Sequence, residues 1–241
     1  MTRISMPLRT LQFSNIIDLS HPIDANIPLW PGDPTVHFTD EASIAKDGYF
    51  LRSFQIGEHS GTHMNAPASF FTDGMTIDSY KPEQLMPEAV VIDVSAQAQE
   101  QPDYTVTIQD IHHWEQNHGV IPAGCIVLFY TGYQHFWKTP ERFFNMDAQG
   151  VMHFPGLAAE TAKYLLEERK VSGLGIDTHG VDPGFSVEHQ VNCMTLAQSG
   201  IVLECLTNLD RLPPKGVTLA IGLLRLRGGS GSPVSVLAFI P

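Results

Sequence analysis

The rhythm of short apolar runs constrains this chain more than any other feature. Residues 15–19, 50–56, 89–94, 125–130, 173–176, 201–203, 218–224 and 234–239 are rich in Val, Ile, Leu or Phe, and most are bounded by Gly, Pro, Asp or Ser. Runs of that length and composition read as strands. Only two segments have helical spacing. One starts near Thr107, passes Trp114 and His118 and stops at Gly119. The other covers 158–169, with Leu157, Thr161, Tyr164 and Leu165 at helical spacing and the cations Arg169 and Lys170 at its end. Strands outnumber helices and no repeat or low-complexity tract divides the chain, so the expected class is α/β, a compact β-rich single domain.

Composition removes several function classes. Across 241 residues, Lys+Arg 14 against Asp+Glu 26 gives a net charge of −12, a field that repels nucleic acid and anionic membrane surfaces. No stretch approaches the roughly eighteen apolar residues of a membrane span, and the opening Met-Thr-Arg-Ile-Ser-Met-Pro-Leu-Arg lacks the apolar block of a signal peptide. The expectation is a cytoplasmic protein with a small-molecule substrate and neither a nucleic-acid nor a membrane partner. Cys125, Cys193 and Cys205 form no CxxC pair and read as buried small hydrophobes.

The densest chemistry lies in Gly57-Glu58-His59-Ser60-Gly61-Thr62-His63-Met64-Asn65-Ala66-Pro67-Ala68-Ser69-Phe70-Phe71. Gly61, Thr62 and Pro67 argue against a helix, and in an extended strand His59, His63 and Asn65 would point to one side. Two imidazoles and an amide oxygen on one side make half of a metal site. The alternative is a pair of histidines satisfied by loop hydrogen bonds. Among the aromatics Trp30, Phe50, Phe70 and Phe71, wall for a planar substrate competes with plain core. Only the Trp30 loop, flanked by Pro28, Pro31 and Pro34, looks rigid and exposed enough to favour a pocket. His112, His113 and His118 read as a helix surface, His21 and His37 as isolated. The run 228–231 reads as a tight turn between C-terminal strands, since no phosphate-loop pattern is present.

Five more stretches complete a set: Pro28-Leu29-Trp30-Pro31-Gly32-Asp33-Pro34, His153-Phe154-Pro155-Gly156-Leu157, Gly175-Ile176-Asp177-Thr178, Glu204-Cys205-Leu206-Thr207-Asn208-Leu209 and Gly228-Gly229-Ser230-Gly231-Ser232-Pro233. With 57–71 they resemble, in order, the cyclase family that includes bacterial kynurenine formamidase and isatin hydrolase, whose signature is His-x-Gly-Thr-His-x-Asp-x-Pro-x-His-Phe. The resemblance implies a swivelling β/α/β domain over 15–241, preceded by a segment 1–14, and assembly as a homodimer or homotetramer. It also implies metal-dependent hydrolysis of a small amide, cyclic imide or lactone, as in arylformamidases. In the family the first two histidines and the aspartate of the signature hold one metal, and the aspartate reaches a second held by a later histidine and glutamate. By position, His59, His63 and Glu204 are retained.

Three positions depart from the pattern. Asn65 replaces the metal-binding aspartate, Ser69 the catalytic histidine, and counting twelve back from Glu204 lands on Asn192, with His189 three residues early. A neutral amide at the bridging position removes the charge that two nearby cations need. The expected cofactor is therefore one divalent ion, zinc or manganese, held by His59, His63 and Asn65 or Glu204, or none. Serine has no useful pKa near neutrality, so Glu204, His179, His189, His153 and Asp177 are the candidate proton acceptors. A nucleophilic arrangement of Ser69, a histidine such as His179, and Asp177 can also be written, and Trp30 and Phe70 are the candidate substrate contacts. Three readings stand: a metal-dependent hydrolase, an inactive small-molecule-binding or scaffolding homologue, and an isomerase or dehydratase with an unusual acid–base set.

Overall fold

A computed structural model describes residues 10–241; residues 1–9 of the segment 1–14 lie outside the described region. The strands and helices, in chain order, are β1 (Asn15–Asp18), β2 (His37–Ala42), α1 (Ile44–Asp47), β3 (Leu51–Gln55), β4 (His63–Asn65), β5 (Glu88–Asp93), α2 (Ser95–Glu100), β6 (Thr105–Val106) and α3 (Ile108–His118). They continue with β7 (Ile126–Tyr130), α4 (Pro140–Phe144), β8 (Gly156–Leu157), α5 (Ala159–Glu167), β9 (Gly173–Ile176), α6 (Gln190–Ala197), β10 (Ile201–Glu204), β11 (Val217–Leu223) and β12 (Gly231–Ile240). The main sheet runs β1-β12-β11-β5-β7-β9-β10-β4, and a further pairing of β12 with β4 closes seven strands into a barrel-like ring with β1 on its edge. Its strands β5, β7, β9 and β10 are parallel; the other pairings are antiparallel.

Side-chain alternation divides the apolar residues between two cores. Ala89, Val91, Ile126, Leu128, Ile201 and Leu203 pack inside the ring with Met64 and Leu219. Their neighbours Val90, Ile92, Val127, Phe129 and Val202 face outward, beneath Ile111 and Trp114 of α3, Leu165 of α5 and Val191 of α6. Gly173 and Gly175 take inward positions on β9 where a Cβ would collide with the Ile201 carbonyl and with Leu128 Cδ2 respectively. Strands buried on both faces read as continuous apolar runs, which is why these were visible in the sequence.

The two expected helices are present. Thr107 caps α3, sharing a capping box with Asp110, and Gly119 ends it at φ 85°. The sequence does not reveal helix α6, because its one buried face joins polar Asn192 and Thr195 to Val191 and Leu196 while Cys193 and Met194 are only partly covered, which erases the amphipathic period. The hairpin β2–β3 stands apart from the ring and exposes Tyr49, Phe50, Leu51 and Phe54. Phe50 is therefore neither core nor pocket wall. Among the described residues no helix is long and apolar enough to cross a membrane.

Candidate metal and substrate site

Strand parity builds the site. On β4, Met64 enters the core, so His63 and Asn65 face the other way. Antiparallel pairing sets Glu204 of β10 directly opposite His63, again out of phase with core residue Leu203. The expected single strand carrying His59, His63 and Asn65 is corrected here. Residues 57–62 form turns, with Gly61 at φ 66°, and His59 reaches Asn65 from that turn.

Glu204 is buried and saturated. Its Oε1 accepts from Val181 N–H at 3.1 Å and Asn192 Nδ2 at 3.0 Å, and its Oε2 faces Asn65 Nδ2 and His63 Nε2, each at 3.1 Å. Burial works to raise its pKa, but the His63 contact and charge, the Asn192 bond and the His179 ring together hold it down at about 2. Asn192 also donates to Asp182 Oδ2 at 3.2 Å, which fixes which way its amide points. Asn65 Nδ2 donates to Asn192 Oδ1 at 3.0 Å, so the Asn65 amide is fixed as well and its Oδ1 must face His59 Nδ1, 2.8 Å away. Asp182 accepts from the Val191 and Asn192 amides at the start of α6, tying the helix to the site. Burial raises the Asp182 pKa against these bonds.

The histidines are oriented from behind. His63 Nδ1 donates to Gly61 O at 2.9 Å, which leaves Nε2 aimed at Glu204. His59 Nε2 lies 2.9 Å from Ser230 Oγ, which leaves Nδ1 aimed at Asn65 Oδ1. Burial, then the His63 charge, lowers the His59 pKa and favours the neutral ring. His179 is buried, its Nε2 has no hydrogen-bond partner, and its pKa falls to about 4, chiefly through burial.

These donors fit one divalent cation. Bonds of about 2.1 Å from a metal to nitrogen or oxygen set adjacent ligand atoms about 3 Å apart, the spacing of His59 Nδ1 from Asn65 Oδ1 and of His63 Nε2 from Glu204 Oε2. Both contacts oppose a ring nitrogen to an oxygen acceptor, an arrangement that a shared proton or a cation satisfies. Among the described residues no group of three or more His, Cys, Asp and Glu is placed to hold a metal ion, so a cation here would depend on the Asn65 oxygen. A second cation does not fit, because the Asn65 and Asn192 amides turn N–H donors toward Glu204, and Asn192 toward Asp182 as well.

The site floors a cavity of about 250 Å³ whose walls include Trp30, Phe70, His179, His189 and Pro183, with no Lys or Arg among its lining residues. Trp30 is held by a type II turn: Pro31 follows it, Gly32 has φ 97°, and Asp33 N–H donates to Trp30 O at 3.0 Å. His189 sits at the rim between Trp30 and Phe70, with ring centroids 6.1 and 5.7 Å away, whereas Asn192 lies inside. The structure does not assemble Ser69, His179 and Asp177. Both Asp177 oxygens accept from Thr131 and Gln134, bonds that strap β9 to the end of β7, and Ser69 Oγ donates to Ser230 O at 2.7 Å. His153 pairs with Asp103 and Asp147 elsewhere. Sequence reasoning missed Glu58, Asp182 and Ser230. The available signals were a carboxylate immediately before His59 and a lone hydroxyl between glycines.

Comparison with known proteins finds relatives over most of the chain. A family model described as "Putative cyclase" matches residues 17–183. An isatin hydrolase of Roseibium aggregatum is 32% identical over 251 residues, covering 94% of this chain and 92% of that protein. A kynurenine formamidase of Geobacillus thermodenitrificans is 31% identical, covering 90% and 94%. A solved structure of isatin hydrolase A from Ralstonia solanacearum superposes with a TM-score of 0.89 at 34% identity, covering 94% of this chain and 92% of that one. A structure described as a potential metal-dependent hydrolase with cyclase activity shares the fold at 23% identity and TM-score 0.72, covering 94% and 98%.

Proposed function

Because the chain belongs to the cyclase family, we propose that it is a metal-dependent hydrolase that opens a small, neutral, aromatic cyclic amide or imide. The observation that carries this reading is the pair of imidazole nitrogens aimed at the Asn65 and Glu204 oxygens on the floor of the Trp30–Phe70 cavity. His59, His63 and Asn65, with Glu204 behind them, would hold the cation, zinc or manganese. When bound, it supplies Lewis acidity to the scissile carbonyl and to the attacking water.

The chain's own groups do the rest. Trp30 and Phe70 flank a slot of about 250 Å³, too small for a large ligand and suited to one fused ring system. With Asp33, Asp182 and Glu204 in the lining and no Lys or Arg to pair a substrate carboxylate, a neutral ring is accepted more readily than a zwitterionic amino acid. His179 is kept neutral by burial, so its unpartnered Nε2 is the atom available to take a proton from water, and the nearby Glu204 charge favours the protonated ring. Glu204, with both oxygens engaged by donors, orients rather than accepts.

A panel with zinc or manganese supplied tests this. Isatin should gain one water, N-formylkynurenine should turn over more slowly, and His63→Ala should abolish both. Ligand-dependent thermal stabilisation with no turnover of any amide, imide or lactone would instead establish a binding protein. The same reading includes a cytoplasmic homodimer or homotetramer. Supporting it are the free Cys125, Cys193 and Cys205 and a two-stranded ribbon that exposes Phe50 and Phe54, a surface that a second copy would cover. Light scattering with Phe54→Ser checks the assembly.

A further inference from the structure

The loop before β12 makes a closer approach to the site than a turn requires. A Cβ on Gly231 would come within 2.5 Å of His59 Cε1 and 2.9 Å of Nδ1, and one on Gly229 would come within 2.9 Å of Glu58 Oε1. Only glycines on both sides let the backbone press residue 230 between these two side chains. There, Ser230 N and Ser230 Oγ each lie 2.8 Å from Glu58 Oε2, and Oγ lies 2.9 Å from His59 Nε2. The Ser230 carbonyl accepts from Ala66 N–H at 2.8 Å and Ser69 Oγ at 2.7 Å, which locks the residue from the other side.

We propose that Ser230, backed by the Glu58 carboxylate, is a positioning residue that fixes the His59 proton on Nε2 and so presents the Nδ1 lone pair to the cation. The inference rests on the reading of His59 as a metal ligand. A carboxylate only accepts, so the single Ser230 hydroxyl proton goes to Glu58 and the hydroxyl oxygen is left to accept from Nε2–H. If the hydroxyl rotated to donate to Nε2, the ring proton would move to Nδ1, facing Asn65 Oδ1 and closing the position where the metal would bind. Glu58 decides between the two tautomers, and Gly229 and Gly231 provide the space for it to do so. Partners of this kind typically tune metal affinity by 10–100-fold.

Glu58→Met is the telling change, because it keeps the length of the side chain but removes the acceptor, freeing the Ser230 hydroxyl to donate to His59 Nε2. Nitrogen-15 NMR of the metal-free protein should show His59 as the Nε2–H tautomer in the wild type and shift it toward Nδ1–H in Glu58→Met. Calorimetric zinc titration should show affinity lowered by about 10–100-fold in Glu58→Met and Ser230→Ala. Equal zinc affinity in all three proteins would overturn the relay while leaving the metal site standing. No zinc binding by the wild type would overturn the metal reading, and the tautomer would then decide the relay alone: an Nδ1–H ring in the wild type refutes it, an Nε2–H ring that shifts in Glu58→Met upholds it.

Discussion

Asn65→Asp isolates the most consequential departure from the family signature. In the present structure the Asn65 amide donates to Glu204 Oε2 at 3.1 Å and to Asn192 Oδ1 at 3.0 Å. A carboxylate there would replace two donors with acceptors and set like charges about 3 Å apart, a repulsion of about 5 kcal/mol at an effective dielectric of 20. The protein has a cheaper escape. Protonating the introduced carboxylate at pH 7, from an ordinary pKa near 3.9, costs about 4 kcal/mol and restores one donor. The lower figure sets the expected loss of metal-free stability, equivalent to a melting temperature about 8–16 °C lower for a chain of this size. Because the cost is that of protonation, it shrinks as pH falls, to about 1.5 kcal/mol at pH 5. Added zinc or manganese should recover most of the loss and raise the melting point more than in the wild type, since a cation between the two carboxylates removes their repulsion. Differential scanning fluorimetry in chelator and in metal, at pH 5 and pH 7, measures all four terms. A chelated variant melting within 2 °C of the wild type, roughly half a kcal/mol, would refute the hydrogen-bond directions assigned to Asn65 and Asn192.

Other expectations are simpler. Ser69→Ala removes one hydrogen bond to the Ser230 carbonyl and should cost about 1 kcal/mol of stability while leaving turnover within a few-fold; a loss of a thousandfold or more would return Ser69 to the role of nucleophile. The hydrogen bonds of His153 with Asp103 and then Asp147 raise its pKa above 6.5. With the folded pKa above the unfolded one, the pair stabilises the fold below about pH 6.5 and loses its contribution as pH rises through the raised value. Partial exposure keeps the effect under about 1 kcal/mol. NMR titration should show a lower His153 midpoint in Asp103→Asn, and an unchanged midpoint would count against the pairing. Gly173→Ala drives a methyl into the Ile201 carbonyl across the β9–β10 pair and should destabilise by about 1–3 kcal/mol in a denaturant titration, whereas tolerance would show that the strands can separate there.

The sequence by itself carried the information that is local. Strands β5, β7, β9 and β10 were legible because apolar runs buried on both faces need no long-range knowledge to be recognised, and β11 and β12 because their alternate residues Val217, Leu219, Ile221, Val234, Val236 and Ala238 are apolar and enter the core. Helices α3 and α5 were legible from periodicity and end signals, and His59, His63 and Glu204 from motif order. What the sequence left open depends on atoms brought together across the ring. Whether Asn192 or His189 entered the site turned on the start of α6, where His189 takes φ 48° at the rim and the Asp182 carboxylate draws Asn192 inward. Asp177 could not be separated from a catalytic role until Thr131 and Gln134, more than forty residues away, were seen to occupy both its oxygens. The segment around Ser230 reads as a plain turn because its meaning lies in the contact with Glu58 and His59, some 170 residues earlier. Backbone periodicity is written in neighbouring residues, whereas the direction of a hydrogen bond depends on every donor around it, and that is decided only by the folded chain.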